Sequence, residues 1–197
     1  MEQDGDMKEE ERGKRGKAVR ESVSFILYLI VIVVLTFLMI RYIGQRTRVD
    51  GSSMENTLTN GDNLIVDKIS YRFHEPERFD IIVFPYQYKE DTYFIKRIIG
   101  MPGETVQITD KGEILINGEE LVESYGREVI KDPGLASDPI TLGEDEYFVM
   151  GDNRNNSNDA REWETHYVSR DEVLGKAWFR YCLLYTSDAA DEARSVD

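Results

Sequence analysis

A long apolar segment without charge, near the amino terminus, constrains this chain more than any other feature of its sequence. No charged residue occurs from Ser22 to Ile40, and the run 25–35 consists almost entirely of hydrocarbon side chains. At about 1.5 Å per residue, a helix of this length spans most of the ~30 Å hydrocarbon core of a bilayer. A cleaved secretory signal would end in small residues, and 37–42 offer no such site; a buried soluble helix would carry a polar stripe. The segment predicts one transmembrane anchor, residues 22–45.

Basic residues flank the anchor unequally. Six Lys and Arg residues precede the apolar segment, and three follow it within 41–48. Because Lys and Arg near a span tend to stay on the cytoplasmic side, the charged tail 1–21 is predicted to be cytoplasmic. The rest of the chain is then predicted to be extracytoplasmic, at the cell membrane, with a single pass and the lipid bilayer as a partner.

Composition excludes several classes of function. The chain has 38 Asp and Glu against 24 Lys and Arg, a formal net charge of -14, which argues against a nucleic acid partner. It has one cysteine, Cys182, so an intrachain disulfide is impossible. Its two histidines, His74 and His166, are far apart and lack zinc-ligand spacing. We therefore predict no metal and no cofactor.

Residues 46–181 predict a mainly β domain. The stretch 105–108 alternates apolar and polar residues, and Asn117-Gly118 between two short apolar runs is a strong hairpin signal. An amphipathic helix of ordinary length is not predicted after the anchor. The predicted strands are 63–68, 80–84, 93–99, 105–108, 113–116, 119–122, 147–150 and 173–181.

The last sixteen residues, 182–197, continue neither the strand pattern nor the turn chemistry before them. They resemble the translation of a sequencing-library adapter, and a natural, disordered acidic tail is the alternative. We expect a non-native tail, which would make Cys182 non-native as well, and exclude it from fold prediction.

Four short stretches contain the residues that could perform chemistry, and the first two, 51–58 and 61–68, would each be unremarkable alone as turns. In the third, Lys96 and Arg97 are adjacent within a predicted strand, so their side chains point to opposite faces. If Arg97 faces solvent or a carboxylate, Lys96 points to the apolar side, where a charged lysine is costly. A snorkelling lysine on an edge strand is the alternative. The fourth, 151–161, could be a surface loop or a buried hydrogen-bond network.

In this order after one anchor, the stretches resemble the sequence boxes of the type I signal peptidases, in their Gram-positive-like single-anchor form. The family pattern Ser-Met-x-Pro-Thr-Leu corresponds to 53–58, and Gly-Asp…Val-x-Lys corresponds to 61–68. Lys-Arg-x-x-Gly-x-Pro-Gly corresponds to 96–103, and Gly-Asp-Asn…Ser-x-Asp-Ser-Arg corresponds to 151–161. The resemblance covers the anchor and nearly all of 46–181.

The resemblance implies a β-rich signal-peptidase-type catalytic domain with a Ser-Lys dyad. Ser53 would be the nucleophile and Lys96 the general base. Ser157 would hydrogen-bond and orient the lysine, with Asp159 and Arg161 bracing that loop as an ion pair. The backbone N–H of Ser53 would supply part of the oxyanion hole.

Lysine can serve as the base only if its pKa falls. An unperturbed lysine, with a pKa of about 10.4, is neutral in only a few of roughly ten thousand molecules at pH 7. A shift of about 3 units is needed, and full burial can supply 3–5 units. The apolar run 93–99 around Lys96 is a setting that could provide it.

Three residues depart from the family pattern. Asn56 stands where proline is usual, Ala160 where serine is usual, and Gly51 where some members have a hydroxyl. None of these changes removes a proton-transfer group, so activity is still expected, while the second oxyanion donor stays open. Met54 and Phe84 are candidates for the substrate pocket, with core packing an equal alternative.

The implied function is that of a membrane-bound serine endopeptidase that removes signal peptides from secretory preproteins. The resemblance implies small residues at the first and third positions before the cut. One alternative is a specialised relative that processes one dedicated exported precursor. Another is an inactive, membrane-tethered peptide-binding module, which would be expected to lose Ser53 or Lys96, and both are present.

Overall fold

The computed structural model describes Lys17, residues 20–38 and 44–87, Lys89 and residues 91–181. The chain divides after residue 43 into two units. The predictions for residues 1–16 and for the tail 182–197 lie outside the described residues.

The first unit contains helix α1, Arg20–Leu38, whose described side chains are all exposed. Its 19 residues are long and apolar enough to cross a membrane, and it is the one such helix in the described part of the chain. An exposed helix that is apolar all round is typical of a membrane span. The helix lies where the sequence predicts the anchor, while residues 39–43 are outside the described ranges.

The second unit is built from antiparallel strands in two sheets. The larger has seven strands in the order β1-β2-β11-β3-β4-β9-β10, and the smaller has four in the order β7-β6-β5-β8. The strands are β1 Gly44–Arg48, β2 Asn63–Asp67, β3 Ile81–Pro85, β4 Tyr93–Gly100, β5 Thr105–Ile108, β6 Ile114–Ile116, β7 Glu119–Glu120, β8 Ile140–Thr141, β9 Glu146–Met150, β10 Val168–Ser169 and β11 Gly175–Tyr181. Three short 3-10 helices join them, at Ser70–Arg72, Gly134–Ser137 and Arg170–Glu172.

The prediction of a mainly β domain is confirmed, and every predicted strand is present to within two residues at each end. The Asn117-Gly118 hairpin is also confirmed: both residues have positive φ, 54° and 86°, as a type I′ turn requires, and Ile116 pairs with Glu119 across it. Sequence reasoning missed β1, β8 and β10. Two of these have two residues, too few for a periodic signal, and β1 has almost no apolar residues, so pairing with β2 defines it.

Both sheets contribute to one hydrophobic core, and a second, smaller cluster lies beside it. Ile98 of β4, Val106 of β5 and Phe148 of β9 are fully buried in the main core. The smaller cluster joins Val49, Met54, Leu58 and Leu64. Because it packs the segment 49–58 against β2, it anchors the turn that carries Ser53.

The two sheets are tightly packed at Gly100, the last residue of β4. A Cβ atom there would lie 2.5 Å from Val106 Cγ2 and 2.9 Å from both Leu142 Cδ1 and Phe148 Cβ. These neighbours are themselves buried core side chains with little room to move. Only glycine fits at this position without displacing the packing between the sheets.

We expect Gly100→Ala to lower the free energy of unfolding by about 1–3 kcal/mol, because an extra methyl group overpacks the contact between the sheets. Urea unfolding of the detergent-solubilised chain measures the loss. Val106→Ala removes the nearest clashing methyl group, so the double variant should lose less than the sum of the two single losses. Additive losses, or a Gly100→Ala chain as stable as the original, would contradict the steric explanation.

Candidate active site

Ser53 lies in a tight turn between β1 and β2 that is held from inside by Met54. Met54 is 1% exposed, and its carbonyl accepts hydrogen bonds from the backbone N–H groups of Thr57 (3.0 Å) and Leu58 (2.8 Å). The carbonyl of Ser53 accepts a bond of 3.0 Å from the N–H of Asn153 in the loop after β9. The nucleophile candidate is therefore held by its own turn and by a distant loop.

Lys96 lies on β4 and contacts Ser53. Its Nζ donates to Ser53 Oγ at 2.9 Å and to the Ile95 carbonyl at 3.3 Å. The residue is only 3% exposed, and Nζ lies 4.8 Å from the centre of the Phe94 ring. The lysine therefore contacts the hydroxyl from a position that is almost entirely shielded from bulk solvent.

Burial lowers the pKa of Lys96 from its ordinary value of 10.5 to about 8, because the low-dielectric surroundings disfavour the ammonium form. The negative charges of Asp159 and Asp152 act in the opposite direction and limit the fall. With a pKa of about 8, roughly a tenth of the molecules carry a neutral amine at pH 7. This fraction is hundreds of times larger than that of an exposed lysine.

An aromatic cluster forms the apolar wall beside Lys96. Phe94 stacks on Tyr86 with ring centres 4.1 Å apart, and it lies 6.1 Å from Trp163 and 6.5 Å from Phe84. Trp163 also contacts Phe84 at 5.9 Å in an edge-on arrangement. Of these rings, Phe94 lies nearest Lys96 Nζ, at 4.8 Å, and the others pack around it. They extend the apolar surroundings whose low dielectric disfavours the ammonium form.

Arg97, the neighbour of Lys96 on the strand, points the other way and binds a buried carboxylate. Its Nε and Nη2 donate to the two oxygens of Asp152 at 2.8 and 2.6 Å, and its Nη1 donates to the Phe79 carbonyl at 2.8 Å. Nη2 also reaches Thr57 Oγ1 at 3.1 Å, and Thr57 donates to Asp152. The face of the guanidinium lies 3.8 Å from the Tyr125 ring centre. This one cation thus joins β4, the loop after β9 and the turn of Ser53.

A match to a known protein family agrees with this geometry. A family model described as signal peptidase, peptidase S26, matches residues 21–182. The chain belongs to the signal peptidase S26 family.

Relatives of this signal peptidase family member carry consistent names. A probable signal peptidase I-2 of Synechocystis sp. is 38% identical over 165 residues, covering 79% of this chain and 73% of that protein. The signal peptidase I of Leptolyngbya laminosa is 42% identical over 147 residues, covering 71% and 70%. A solved signal peptidase I structure from Enterococcus faecalis is 34% identical and covers 52% of this chain and 97% of that one, with a TM-score of 0.44.

Of the five residues that the resemblance assigns to the site, the structure brings Ser53 together with Lys96 and Asp159 together with Arg161. Ser53 contacts Lys96, and Arg161 forms a two-pronged ion pair with Asp159, at 2.8 Å from Nε to Oδ1 and 2.9 Å from Nη2 to Oδ2. Asp159 also accepts a bond of 3.1 Å from the N–H of Gly151. The ion pair therefore braces the loop that follows β9.

Ser157 requires a correction. The sequence predicted a hydrogen bond from Ser157 to Lys96, but the buried Ser157 Oγ has no hydrogen-bond partner among the residues that the structure describes. It packs against Gly151, where a Cβ atom would overlap both Ser157 Oγ and the Ser53 carbonyl. Lys96 instead makes its two hydrogen bonds to Ser53 and Ile95. Position in a sequence box placed Ser157 near the lysine, but the box does not specify the rotamer.

The pocket candidates Met54 and Phe84 also require a correction. A cavity of about 410 Å³ lies beside Ser53 and Lys96, and neither candidate lines it. Met54 is 1% exposed and Phe84 2% exposed, and each belongs to a hydrophobic cluster. Core packing, the alternative noted above, describes both. The cavity is lined by Thr47, Arg48, Val49, Asp50, Gly51, Ser52, Ser53, Leu64, Val83, Thr92, Tyr93, Phe94, Ile95, Lys96, Asn156 and Asn158.

The three departures from the family pattern have clear local settings. Asn56 has a φ of 102°, which the fixed ring of proline cannot adopt, so the turn after Ser53 follows a different path from one containing proline. Ala160 is fully buried, where an added hydroxyl would need a partner. Gly51 has a φ of 108° with open space around its Cα, a conformation that favours glycine.

Sequence reasoning missed the partners of Arg97. Asp152 was noted only as part of a box, although a buried arginine next to the lysine called for a carboxylate. Thr57 was likewise visible in its box without a role. Tyr125, which covers the guanidinium, carries no local signal, because it lies 28 residues along the chain in an irregular segment.

We expect Lys96→Met to make the folded state more stable at neutral pH, by up to about 3 kcal/mol, because one pKa unit corresponds to 1.36 kcal/mol. Between pH 8 and 10.5 the unfolded chain still binds the lysine proton and the native chain does not. The stability of the original chain therefore rises with pH across this window, and its deficit relative to the Met variant disappears there.

Urea unfolding at pH 7 and pH 10 measures this difference. Lys111→Met, at an exposed turn lysine, is the matched control and should gain nothing at either pH. A Lys96→Met chain that is no more stable than the original at pH 7 would show that the buried lysine costs the fold nothing.

Proposed function

We propose that this chain is a membrane-bound serine endopeptidase that removes signal peptides from secretory preproteins, with Ser53 as nucleophile and Lys96 as general base. The observation that supports this most directly is the 2.9 Å bond between Lys96 Nζ and Ser53 Oγ, made by a lysine that is 3% exposed. A hydroxyl becomes a competent nucleophile when a base of suitable pKa lies within hydrogen-bond reach. Family membership and the names of the relatives support the same activity.

Acylation begins with proton transfer from Ser53 to the neutral amine of Lys96. Ser53 Oγ attacks the carbonyl carbon of the scissile peptide bond, and the negative charge moves to the carbonyl oxygen. The backbone N–H of Ser53 donates to no acceptor among the described residues, so it is available to that oxygen. Lys96, now an ammonium, donates its proton to the departing amine, and the signal peptide stays attached to Ser53 as an ester.

Deacylation repeats the same steps with water. Lys96 is neutral again after the amine leaves, so it can take a proton from a water molecule that attacks the ester. The collapse of the second tetrahedral intermediate returns the proton to Ser53 Oγ and frees the carboxyl end of the signal peptide. One residue thus acts in turn as base and acid, which a pKa of about 8 allows.

The cavity beside the dyad is suited to an extended peptide. Residues 93–96 of β4 pair with β3 on one side, while pairing with β9 begins only at Arg97. The segment that lines the cavity therefore has a free strand edge within the described residues. We propose that the substrate adds there as a strand, with backbone hydrogen bonds giving affinity and the apolar side chains of Val49 and Ile95 limiting the size of substrate residues.

The proposed location follows from α1 and the flanking charges. We propose that residues 22–45 anchor the chain in the bilayer, that 1–21 stay cytoplasmic and that 46–181 act outside the cytoplasm. Ser53 lies 15 residues after the end of α1 at Leu38. A nucleophile so close to an anchor would work near the membrane surface, where the end of a signal segment emerges.

We expect Ser53→Ala to abolish cleavage of a preprotein with an Ala-x-Ala site, and Lys96→Arg to be nearly inactive because a guanidinium stays protonated. Cleavage by the detergent-solubilised chain is followed by sequencing of the new amino terminus. Lys111→Arg, at an exposed lysine, is the matched control and should keep full activity. Cleavage by Ser53→Ala would remove Ser53 from the nucleophile role, and substantial turnover by Lys96→Arg would remove Lys96 from the base role.

We expect kcat/KM to rise about tenfold per pH unit below pH 8 and to level off above it, because only the neutral amine of Lys96 accepts the serine proton. The midpoint should match the lowered pKa of about 8. Initial rates on a short signal-peptide substrate between pH 6 and 10 give the profile. A rate that keeps rising to pH 10 would mean that the lysine retains an ordinary pKa.

A further inference from the structure

The hydroxyl group of Ser52 lies next to the proposed nucleophile, Ser53. Its proton takes part in none of the hydrogen bonds described so far. Ser52 lines the same cavity as Ser53 and Lys96, and its Oγ accepts a hydrogen bond of 2.9 Å from Asn156 Nδ2. Since the amide can only donate through Nδ2, the Ser52 hydroxyl is the acceptor in this bond and its own proton is left over. No described residue accepts that proton.

The rest of Ser52 is held still. Its carbonyl accepts bonds from Asn153 Nδ2 at 3.0 Å and from the N–H of Glu55 at 3.1 Å. Together with the bond from Asn156, these contacts restrain both the backbone and the hydroxyl. A donor that is already held in place costs little reorganisation when charge develops beside it.

Covalent geometry brings this hydroxyl close to the backbone N–H of Ser53. Four bonds join Ser52 Oγ to the nitrogen of Ser53, so the two atoms are at most about 5 Å apart in any rotamer. Two donors at that separation can both reach one oxygen at hydrogen-bond distance. Gly51, the other neighbour in the turn, has no side chain that could supply a donor.

We propose that the Ser52 hydroxyl is the second oxyanion donor, acting with the backbone N–H of Ser53, and that Asn156 is a positioning residue that orients it. The proposal rests on the proposed function of the Ser53–Lys96 dyad. Asn156 occupies one lone pair of Ser52 Oγ and so turns the hydroxyl proton away from itself, toward the cavity. The tetrahedral intermediate then receives two hydrogen bonds on its oxyanion, and the ground-state carbonyl receives weaker ones.

The decisive measurement is the separation of kcat from KM in Ser52→Ala. Loss of one oxyanion donor lowers kcat by about 100-fold or more, and we expect KM to change little because the bond is strongest in the transition state. Ser52→Thr keeps the hydroxyl and should retain most of the activity. Ser52→Cys has nearly the same shape but a weak donor, and should resemble Ser52→Ala even if the alanine variant folds poorly.

Binding of a peptide boronate separates a catalytic role from a structural one. A boronate on Ser53 mimics the tetrahedral intermediate, so its affinity should fall by about the same factor as kcat in Ser52→Ala, while a product-length signal peptide should bind as before. The Asn156→Ala change should lower kcat in the original chain and add nothing in the Ser52→Ala background, because Asn156 acts through Ser52.

Several outcomes would overturn the proposal. These are a Ser52→Ala kcat within about threefold of the original, an equal loss of boronate and product affinity, or a further loss from Asn156→Ala when Ser52 is already alanine. Failure of the proposed Ser53–Lys96 function gives a result distinct from failure of the Ser52 proposal. The unsubstituted chain would then cleave no preprotein at all.

Discussion

The buried ion pair between Arg97 and Asp152 is the interaction on which the candidate active site depends. Its side chains are 4% and 0% exposed, and it connects β4 with the loop after β9 and, through Thr57, with the turn of Ser53. Removing one partner of such a pair leaves a buried charge uncompensated and typically costs 3–5 kcal/mol. Because neighbouring side chains on a strand alternate, the same pair that holds Arg97 inside also commits Lys96 to the opposite face, toward Ser53.

This arrangement lowers the stability of the folded state at Lys96. Burial without a paired carboxylate disfavours its charged form, which lowers its pKa to about 8 and makes the native state less stable at neutral pH. The aromatic rings around Phe94 and the two hydrophobic clusters offset that loss through packing. Stability is thus reduced at Lys96 and restored by the packing of its neighbours.

Local patterns predicted the strands well, since alternation and the Asn117-Gly118 turn act over a few residues. They failed at β8 and β10, which are too short to show a period, and at β1, which pairing alone defines. In the site, the boxes drew attention to Ser53, Lys96, Asp159 and Arg161, which the structure joins in two contacts, Ser53 with Lys96 and Asp159 with Arg161. The hydrogen bond expected of Ser157 is absent from the described residues. Met54 and Phe84 were equally plausible in a pocket or a core, because the sequence alone does not distinguish an apolar residue that lines a pocket from one that packs in a core.

The sequence by itself determined the apolar helix, the β class of the domain and the adjacency of a lysine and an arginine on one strand. These follow from composition and from covalent alternation along the chain. Only the tertiary structure decided that Asp152 binds Arg97, that Lys96 is buried against Phe94, and that Asn156 holds the Ser52 hydroxyl next to Ser53. The Arg97–Asp152 and Ser52–Asn156 contacts join residues 55 and 104 positions apart. Burial, which sets the lysine pKa, exists only once such distant segments pack together.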